Sequence, residues 1–172
     1  MKQELRIKYR NIRKNIKYKK IKDFIIFLKL ITNKNIRKSK IILTYVSTNE
    51  EVNTILLIKY FLKRKLIAVP KVENNIINFY EIKSLKDLEK GKYNILEPLT
   101  KNKITNFNDA VCITPGICFS KDKYRIGYGK GFYDKFFSNN KVYSIGLCYK
   151  KCLIDSIPID KYQKQVDEII YF

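Results

Sequence analysis

Strand-like and helix-like segments alternate along almost the whole chain, and this alternation restricts the fold more than any other feature of the sequence. Leu5, Tyr9, Ile12 and Ile16 recur at helical spacing, with Lys2, Arg6, Arg10 and Arg13 on another face, so the chain opens with an amphipathic helix. A second apolar helical pattern covers Phe24 to Ile31. The run from Ile41 to Val46 then reads as a buried strand and Ser47-Thr48-Asn49 as a turn. Glu50 and Glu51 are expected to begin a helix carrying Val52, Ile55, Leu56 and Tyr60, acidic residues being favoured at the positive end of the helix dipole. Further strands are read at Leu66 to Val69, closed by Pro70, at Ile76 to Ile82, at Asp109 to Thr114 and at Val142 to Cys148. Such alternation predicts a mostly parallel sheet with right-handed crossovers, a Rossmann-like three-layer α/β/α arrangement. The 172 residues are 45% hydrophobic and 13% aromatic and show no repeat or linker, so one domain over residues 1–172 is expected.

The segment Arg125-Ile126-Gly127-Tyr128-Gly129-Lys130-Gly131-Phe132-Tyr133-Asp134 points to what this fold carries. It holds three of the chain's six glycines, two cations and one carboxylate. Glycine N–H groups approach a ligand closely and can form a concave nest of donors, to which Arg125 and Lys130 add positive charge. Phe132 to Phe137 reads as the start of a helix, whose N-terminus also attracts anions. Asp134 is then placed where a carboxylate can hold magnesium bound to phosphates. The segment is neither G-x-x-x-x-G-K-[ST] nor G-x-G-x-x-G, since Gly131 follows Lys130 and Phe132 occupies the third glycine position. A phosphate-holding loop is the reading preferred over a surface turn. In parallel sheets ligands lie outside the carboxyl ends of the strands, where Glu51, the Pro115-Gly116 loop and this segment are all expected to emerge.

Composition removes several classes of function. Without a single histidine the chain has no Ser-His-Asp or Cys-His catalysis and no histidine general base. Cys112, Cys118, Cys148 and Cys152 lack paired C-x-x-C spacing and are read as buried free thiols of a reducing cytosol, so a cytoplasmic protein is expected. Phe24 to Ile31 is far shorter than the roughly 20 apolar residues a membrane span needs. The N-terminus lacks the features of a signal or transit peptide, so the chain is read as mature and soluble. The net charge of +20 raises nucleic acid as a partner, with thirteen tyrosines and ten phenylalanines to stack bases. Abundant Lys, Ile, Asn, Tyr and Phe beside scarce Gly, Pro and Trp are what an A/T-rich genome produces, however, and most of the lysine is assigned to solvated faces. The excess charge would still steer a small polyanion.

Taken in order, the motifs resemble the 5-formyltetrahydrofolate cyclo-ligase family over nearly the whole chain. They are Lys2-x-x-Leu5-Arg6, Glu51-Val52-x-Thr54, Val69-Pro70, Asn94-Ile95-x-Glu97-Pro98, Pro115-Gly116-x-x-Phe119 leading into the glycine segment, and Val166-Asp167-Glu168-Ile169-Ile170-Tyr171. The resemblance implies ATP- and magnesium-dependent conversion of 5-formyltetrahydrofolate to 5,10-methenyltetrahydrofolate, with release of ADP and phosphate, by a monomer acting on a folate that can carry a polyglutamate tail. Lys2 and Arg6 match the family's N-terminal ATP contact. Arg125, Gly127, Gly129, Lys130, Gly131, Phe132 and Tyr133 match its phosphate loop, with Lys130 and Arg125 as the catalytic cations. Asp134 matches a magnesium ligand. Val46, Glu51, Tyr93 and Tyr128 are assigned to the folate. Two readings of Tyr93 stand side by side, folate pocket and core, and Asp167 reads as structural or catalytic.

Three positions depart from the family pattern. Ser120 stands where the family usually has aspartate and Lys123 where it usually has glycine. Gln163 stands where a second, magnesium-binding aspartate is expected, with Asp160 as the alternative carboxylate. These departures leave open a member that binds nucleotide and folate without turnover, and a basic nucleic-acid-binding domain is the reading from a different class.

Overall fold

A computed structural model describes residues 1–91 and 95–172; Tyr93 and Asn94 lie outside the described residues. Helix α1 spans Lys2–Lys14, α2 Lys19–Thr32 and α3 Lys34–Lys38. Strand β1 (Ile41–Thr44), helix α4 (Ile55–Phe61), and strands β2 (Leu66–Glu73) and β3 (Ile76–Ile82) follow. Short strands β4 (Leu88–Lys90) and β5 (Leu96–Pro98) precede β6 (Ala110–Thr114), β7 (Cys118–Ser120) and β8 (Arg125–Ile126). Helix α5 (Phe132–Asn139) and strands β9 (Tyr143–Cys148), β10 (Leu153–Ile154) and β11 (Glu168–Tyr171) complete the chain.

Six strands form the main sheet in the order β11-β9-β6-β1-β2-β3, parallel throughout except for β3. All five residues of β6 are buried, as expected of a central strand covered on both faces. Alternate side chains serve opposite layers. Ile42, Val111, Ile113 and Ile145 pack with Ile26 and Leu30 of α2 and Leu57 and Ile58 of α4, whereas Leu43, Ala68 and Cys112 pack with Phe136 of α5. The three-layer α/β/α arrangement is therefore present. A third cluster joins Tyr9 of α1 to Cys118, Phe119 and Ile126 of a second, three-stranded sheet, β10-β7-β8.

Several expectations are corrected. β2 does not close at Pro70 but runs to Glu73; its pairing with β1 ends at Ala68, so the missing N–H of Pro70 interrupts no ladder with β1. β3 returns antiparallel because only Asn74 and Asn75 connect it to β2, both at positive φ (50° and 60°), and two residues make a hairpin but no crossover. α4 starts at Ile55 rather than at Glu50, with Asn53 Oδ1 accepting from the Ile55 N–H at 2.8 Å. Ile16 lies beyond the end of α1.

All four cysteines are free and buried. Burial pushes the thiols of Cys112 and Cys118 up to about 12 and that of Cys152 up to about 11. The ring of Phe119 fixes the start of the loop after β6. A Cβ on Gly116 would meet that ring at 2.5 Å and one on Gly146 at 2.3 Å, so two bare backbones are what let it lie there.

Candidate active site

The glycine segment is divided between two elements and a loop. Arg125 and Ile126 belong to β8, Gly127 to Gly131 form the loop, and Phe132 opens α5. Gly129 (φ 101°) and Gly131 (φ 67°) use the left-handed region that glycine tolerates, whereas Gly127 does not. The loop thus leaves the small second sheet rather than β6 directly, and reaches the carboxyl edge of the main sheet.

Helix α1 lies against this loop. Arg6 Nε donates to the Gly127 carbonyl at 2.9 Å, and a Cβ on Gly129 would stand 3.5 Å from the Arg6 guanidinium carbon. Lys2, one turn earlier, donates from Nζ to Gln163 Oε1 at 2.8 Å and to the Asp160 carboxylate. Lys2 and Arg6 thus lie one turn apart on α1, Arg6 against the glycine loop and Lys2 held by the segment before β11. Lys130 is exposed and makes no hydrogen bond or ion pair among the described residues, so its ammonium is free to meet a ligand.

Arg125 sits behind the loop, 4% exposed, with both of its Nη atoms bonded within the protein. Its Nη2 donates to Asp134 Oδ1 at 2.9 Å, its Nη1 to the Lys164 carbonyl at 3.1 Å, and its guanidinium stands 5.9 Å from the Tyr133 ring centroid. Burial lowers its pKa, opposed by the neighbouring Asp134, and an arginine so placed keeps its charge. Asp134 Oδ1 also accepts from the Lys164 N–H at 3.0 Å, which leaves Oδ2 without a protein partner among the described residues. Gln163 spends both ends of its amide on the fold: Nε2 donates to the Arg125 carbonyl at 2.5 Å, and Oε1 accepts from Lys2 and, at 3.3 Å, from the Asp160 N–H.

Of the folate assignments, Tyr128 and Glu51 meet on the other side of the loop. Tyr128 Oη donates to Glu51 Oε1 at 2.7 Å. Glu51, 7% exposed, accepts at Oε2 from the Thr48 N–H at 2.9 Å and the Thr48 hydroxyl at 3.1 Å, so its carboxylate closes a turn instead of starting a helix. Burial, reinforced by Glu51, raises the Tyr128 pKa and keeps the phenol a donor. Val46 is buried two residues beyond the end of β1 and belongs to the main core. Phe132 and Tyr133 are half-buried; the Tyr133 hydroxyl is enclosed and unpaired, a polar atom whose partner is missing among the described residues.

Three participants escaped the sequence reading. Arg13 donates to Tyr128 Oη at 2.9 Å. Buried Asp23 accepts from Tyr149 Oη at 2.6 Å and from Lys19 Nζ at 2.8 Å, while Tyr149 Oη also faces the Glu51 carbonyl at 3.2 Å. Apart from the i,i+4 pair of Lys19 with Asp23, these contacts are completed by distant parts of the chain, so no local spacing could have announced them.

Magnesium fits this site in one specific sense. No group of three or more His, Cys, Asp or Glu side chains is gathered among the described residues, so a cage built wholly from protein is absent there. Magnesium commonly takes one or two carboxylates and completes its shell with phosphate oxygens and water, and Asp134 Oδ2 is such a carboxylate beside the loop.

Helices on both faces of a mostly parallel sheet, with a cation-flanked glycine loop at its carboxyl edge, define a doubly wound α/β protein with a site for an anionic ligand. This chain belongs to the 5-formyltetrahydrofolate cyclo-ligase family, whose family model matches residues 1–172. It is similar to a probable 5-formyltetrahydrofolate cyclo-ligase of Caenorhabditis elegans, 29% identical over 85% of this chain and 79% of the relative. A Mus musculus 5-formyltetrahydrofolate cyclo-ligase is 28% identical over 83% of this chain and 78% of its own length. The fold is similar to that of an Aquifex aeolicus 5,10-methenyltetrahydrofolate synthetase, with a TM-score of 0.87 and 29% identity over 99% of this chain and 89% of the other. A Mycoplasma pneumoniae 5,10-methenyltetrahydrofolate synthetase gives a TM-score of 0.77 at 26% identity over 98% and 97%.

Proposed function

We propose that this chain couples ATP cleavage to cyclisation of 5-formyltetrahydrofolate into 5,10-methenyltetrahydrofolate. The observation that carries this reading, together with family membership, is that one loop faces both halves of the reaction. Gly127 and Gly129 lie against Arg6 on the side assigned to the nucleotide, and Tyr128 between them binds Glu51 on the side assigned to the folate.

A formamide carbonyl is a poor electrophile and its oxygen a poor leaving group. The formyl oxygen attacks the γ-phosphorus of ATP, ADP departs, and the formyl carbon becomes an imidoyl phosphate. N10 then attacks that carbon, loses its proton and expels phosphate, which carries away the original formyl oxygen. Phosphoryl transfer depends on positioning and charge stabilisation, so a site without histidine is adequate.

Lys130 meets the transferred phosphoryl group. Lys2 and Arg6 hold the nucleotide, with the N–H groups of Gly127, Gly129 and Gly131 and the adjoining Phe132 and Tyr133. Asp134 would hold magnesium, which when bound would supply neutralising charge to the phosphates. Arg125 acts from behind by orienting Asp134 through the hydrogen bond to its Oδ1. Glu51, held by Tyr128 and Thr48, accepts hydrogen bonds from pterin N–H groups, and Val46 offers an apolar wall. A monomer in the cytoplasm is the expected setting, with a polyglutamylated folate as an admissible substrate. No helix among the described residues is long and apolar enough to cross a membrane.

Oxygen-18 in the formyl group tests the mechanism. Released phosphate should carry one labelled oxygen for each methenyl product formed; label that appears in water instead would refute it.

A further inference from the structure

Arg13 has no place in the nucleotide or folate assignments, yet it is among the most deeply placed cations of the site. The residue is 4% exposed, and its two Nη atoms reach the loop after β6, Tyr128 and Glu50, while Nε has no partner among the described residues. Nη1 donates to the Gly116 carbonyl at 3.1 Å, in the loop that follows β6. Nη2 donates to Tyr128 Oη at 2.9 Å and stands 3.6 Å from Glu50 Oε2, and the guanidinium carbon lies 5.7 Å from the Tyr128 ring centroid.

The direction of this chain of hydrogen bonds follows from the chemistry. A guanidinium only donates, and a phenol has one proton to give. Arg13 therefore donates to Tyr128, which spends its own proton on Glu51 Oε1 at 2.7 Å. With Thr48 on the other oxygen, the Glu51 carboxylate is gripped from two sides. Burial works against the charge on Arg13, but Tyr128, Glu51 and Glu50 together more than offset it and raise its pKa. Arg13 also lies two helical turns beyond Arg6 on α1, so that one helix holds adjacent loop residues, Gly127 by Arg6 and Tyr128 by Arg13.

The geometry points to Arg13 as a positioning residue for the folate pocket, acting through the Tyr128 hydroxyl to fix the orientation of the Glu51 carboxylate. This rests on the reading of Glu51 as the pterin acceptor. Arg13 touches neither substrate; its effect is transmitted by a donor that lysine cannot reproduce, because an ammonium has no planar fork to span Gly116 and Tyr128 together.

The test is a double-mutant cycle of Arg13→Lys and Tyr128→Phe on the full chain, with the KM for 5-formyltetrahydrofolate, the KM for ATP and the Tm measured for each variant, alongside Glu51→Gln. Arg13→Lys and Tyr128→Phe should each raise the folate KM about tenfold, the low end for one charge-assisted hydrogen bond, and leave the ATP KM within about twofold. The double variant should be no worse than the worse single variant, since both changes cut the same path. Multiplying effects in the double variant, or a lowered Tm with unchanged folate KM in Arg13→Lys, would assign Arg13 to structure alone and overturn the proposal. Glu51→Gln separates the two failures. If it leaves the folate KM unchanged, the pterin reading fails and takes the proposal with it; if it raises that KM while Arg13→Lys does not, only the role of Arg13 fails. Arg13→Gln replaces Arg13→Lys in the cycle if the lysine variant does not fold.

Discussion

Opposite ends of the same sheet are both rich in cations, and they are built in different ways. At the carboxyl edge Arg13 and Arg125 are each 4% exposed, and each faces a carboxylate, Glu50 at 3.6 Å and Asp134 at 2.9 Å. At the amino edge, where β1 and β2 begin, Arg37, Lys38, Lys40, Lys63 and Arg64 border an open cleft and are all exposed. There only Lys65 is drawn in, its Nζ donating to the Arg37 carbonyl at 3.0 Å and to the Ser39 carbonyl, with burial lowering its pKa. A buried cation is retained only where the fold supplies its partners, and the partners then fix a geometry; exposed cations stay hydrated, and their pairs, such as Lys40 with Asp109 at 3.0 Å, contribute little. The net charge of +20 therefore locates nothing by itself, whereas buried, paired cations mark the built end of the sheet.

Lys130 offers the sharpest way to break this contrast, because it is an exposed cation at the built end. Lys130→Ala should lower kcat by about a hundredfold, as expected when one preorganised charge contact to the transition state is lost, while leaving the Tm unchanged. Arg6→Met should raise the ATP KM by about tenfold, the effect of losing a charge-assisted contact, and change the folate KM less. At the other end, combining Lys38→Gln, Lys63→Gln and Arg64→Gln should leave kcat/KM within about twofold at physiological salt, since these solvated charges contribute little. A loss there comparable to that of Lys130→Ala would end the distinction between the two regions.

A separate effect, on stability rather than activity, concerns pH and the buried thiols. Their folded pKa values are raised, to about 12 for Cys112 and Cys118 and about 11 for Cys152, so the stability they contribute is complete below the unfolded thiol pKa. It is lost as pH rises, because the unfolded chain releases those protons first. Denaturant titrations between roughly pH 8.5 and 11 should show stability falling by about 1.4 kcal/mol per pH unit for each such thiol, less steeply in Cys112→Ala.

Much of the fold was legible because parallel strands advertise themselves as short, continuous apolar runs. β6 is buried at every residue and was read almost to its ends. The antiparallel return of β3 was missed because its signal is only Asn74-Asn75, without the glycine that usually marks such a hairpin. The small sheet of β7, β8 and β10 was missed because its strands are two or three residues long, too short to show a period. At the candidate site, Lys2, Arg6, Glu51, Lys130 and Asp134 are assigned through motifs, and four of them make direct contacts with the loop or its neighbours. Arg13 could not be found that way. Its partners Gly116 and Tyr128 are 103 and 115 positions away, and on α1 it is one of several basic residues with the same local pattern. Gln163 shows the reverse case. Its departure from the family pattern was plain in the sequence, but only the structure shows its amide tied to the Arg125 carbonyl and to Lys2.

The most direct test follows 5,10-methenyltetrahydrofolate absorbance from 5-formyltetrahydrofolate, with ATP and magnesium, in the unmodified protein beside Asp134→Asn. The account predicts turnover that requires ATP and is lost in the variant. Absence of turnover in the unmodified protein, despite measurable ATP binding, would contradict it and define a binding-only member of the family.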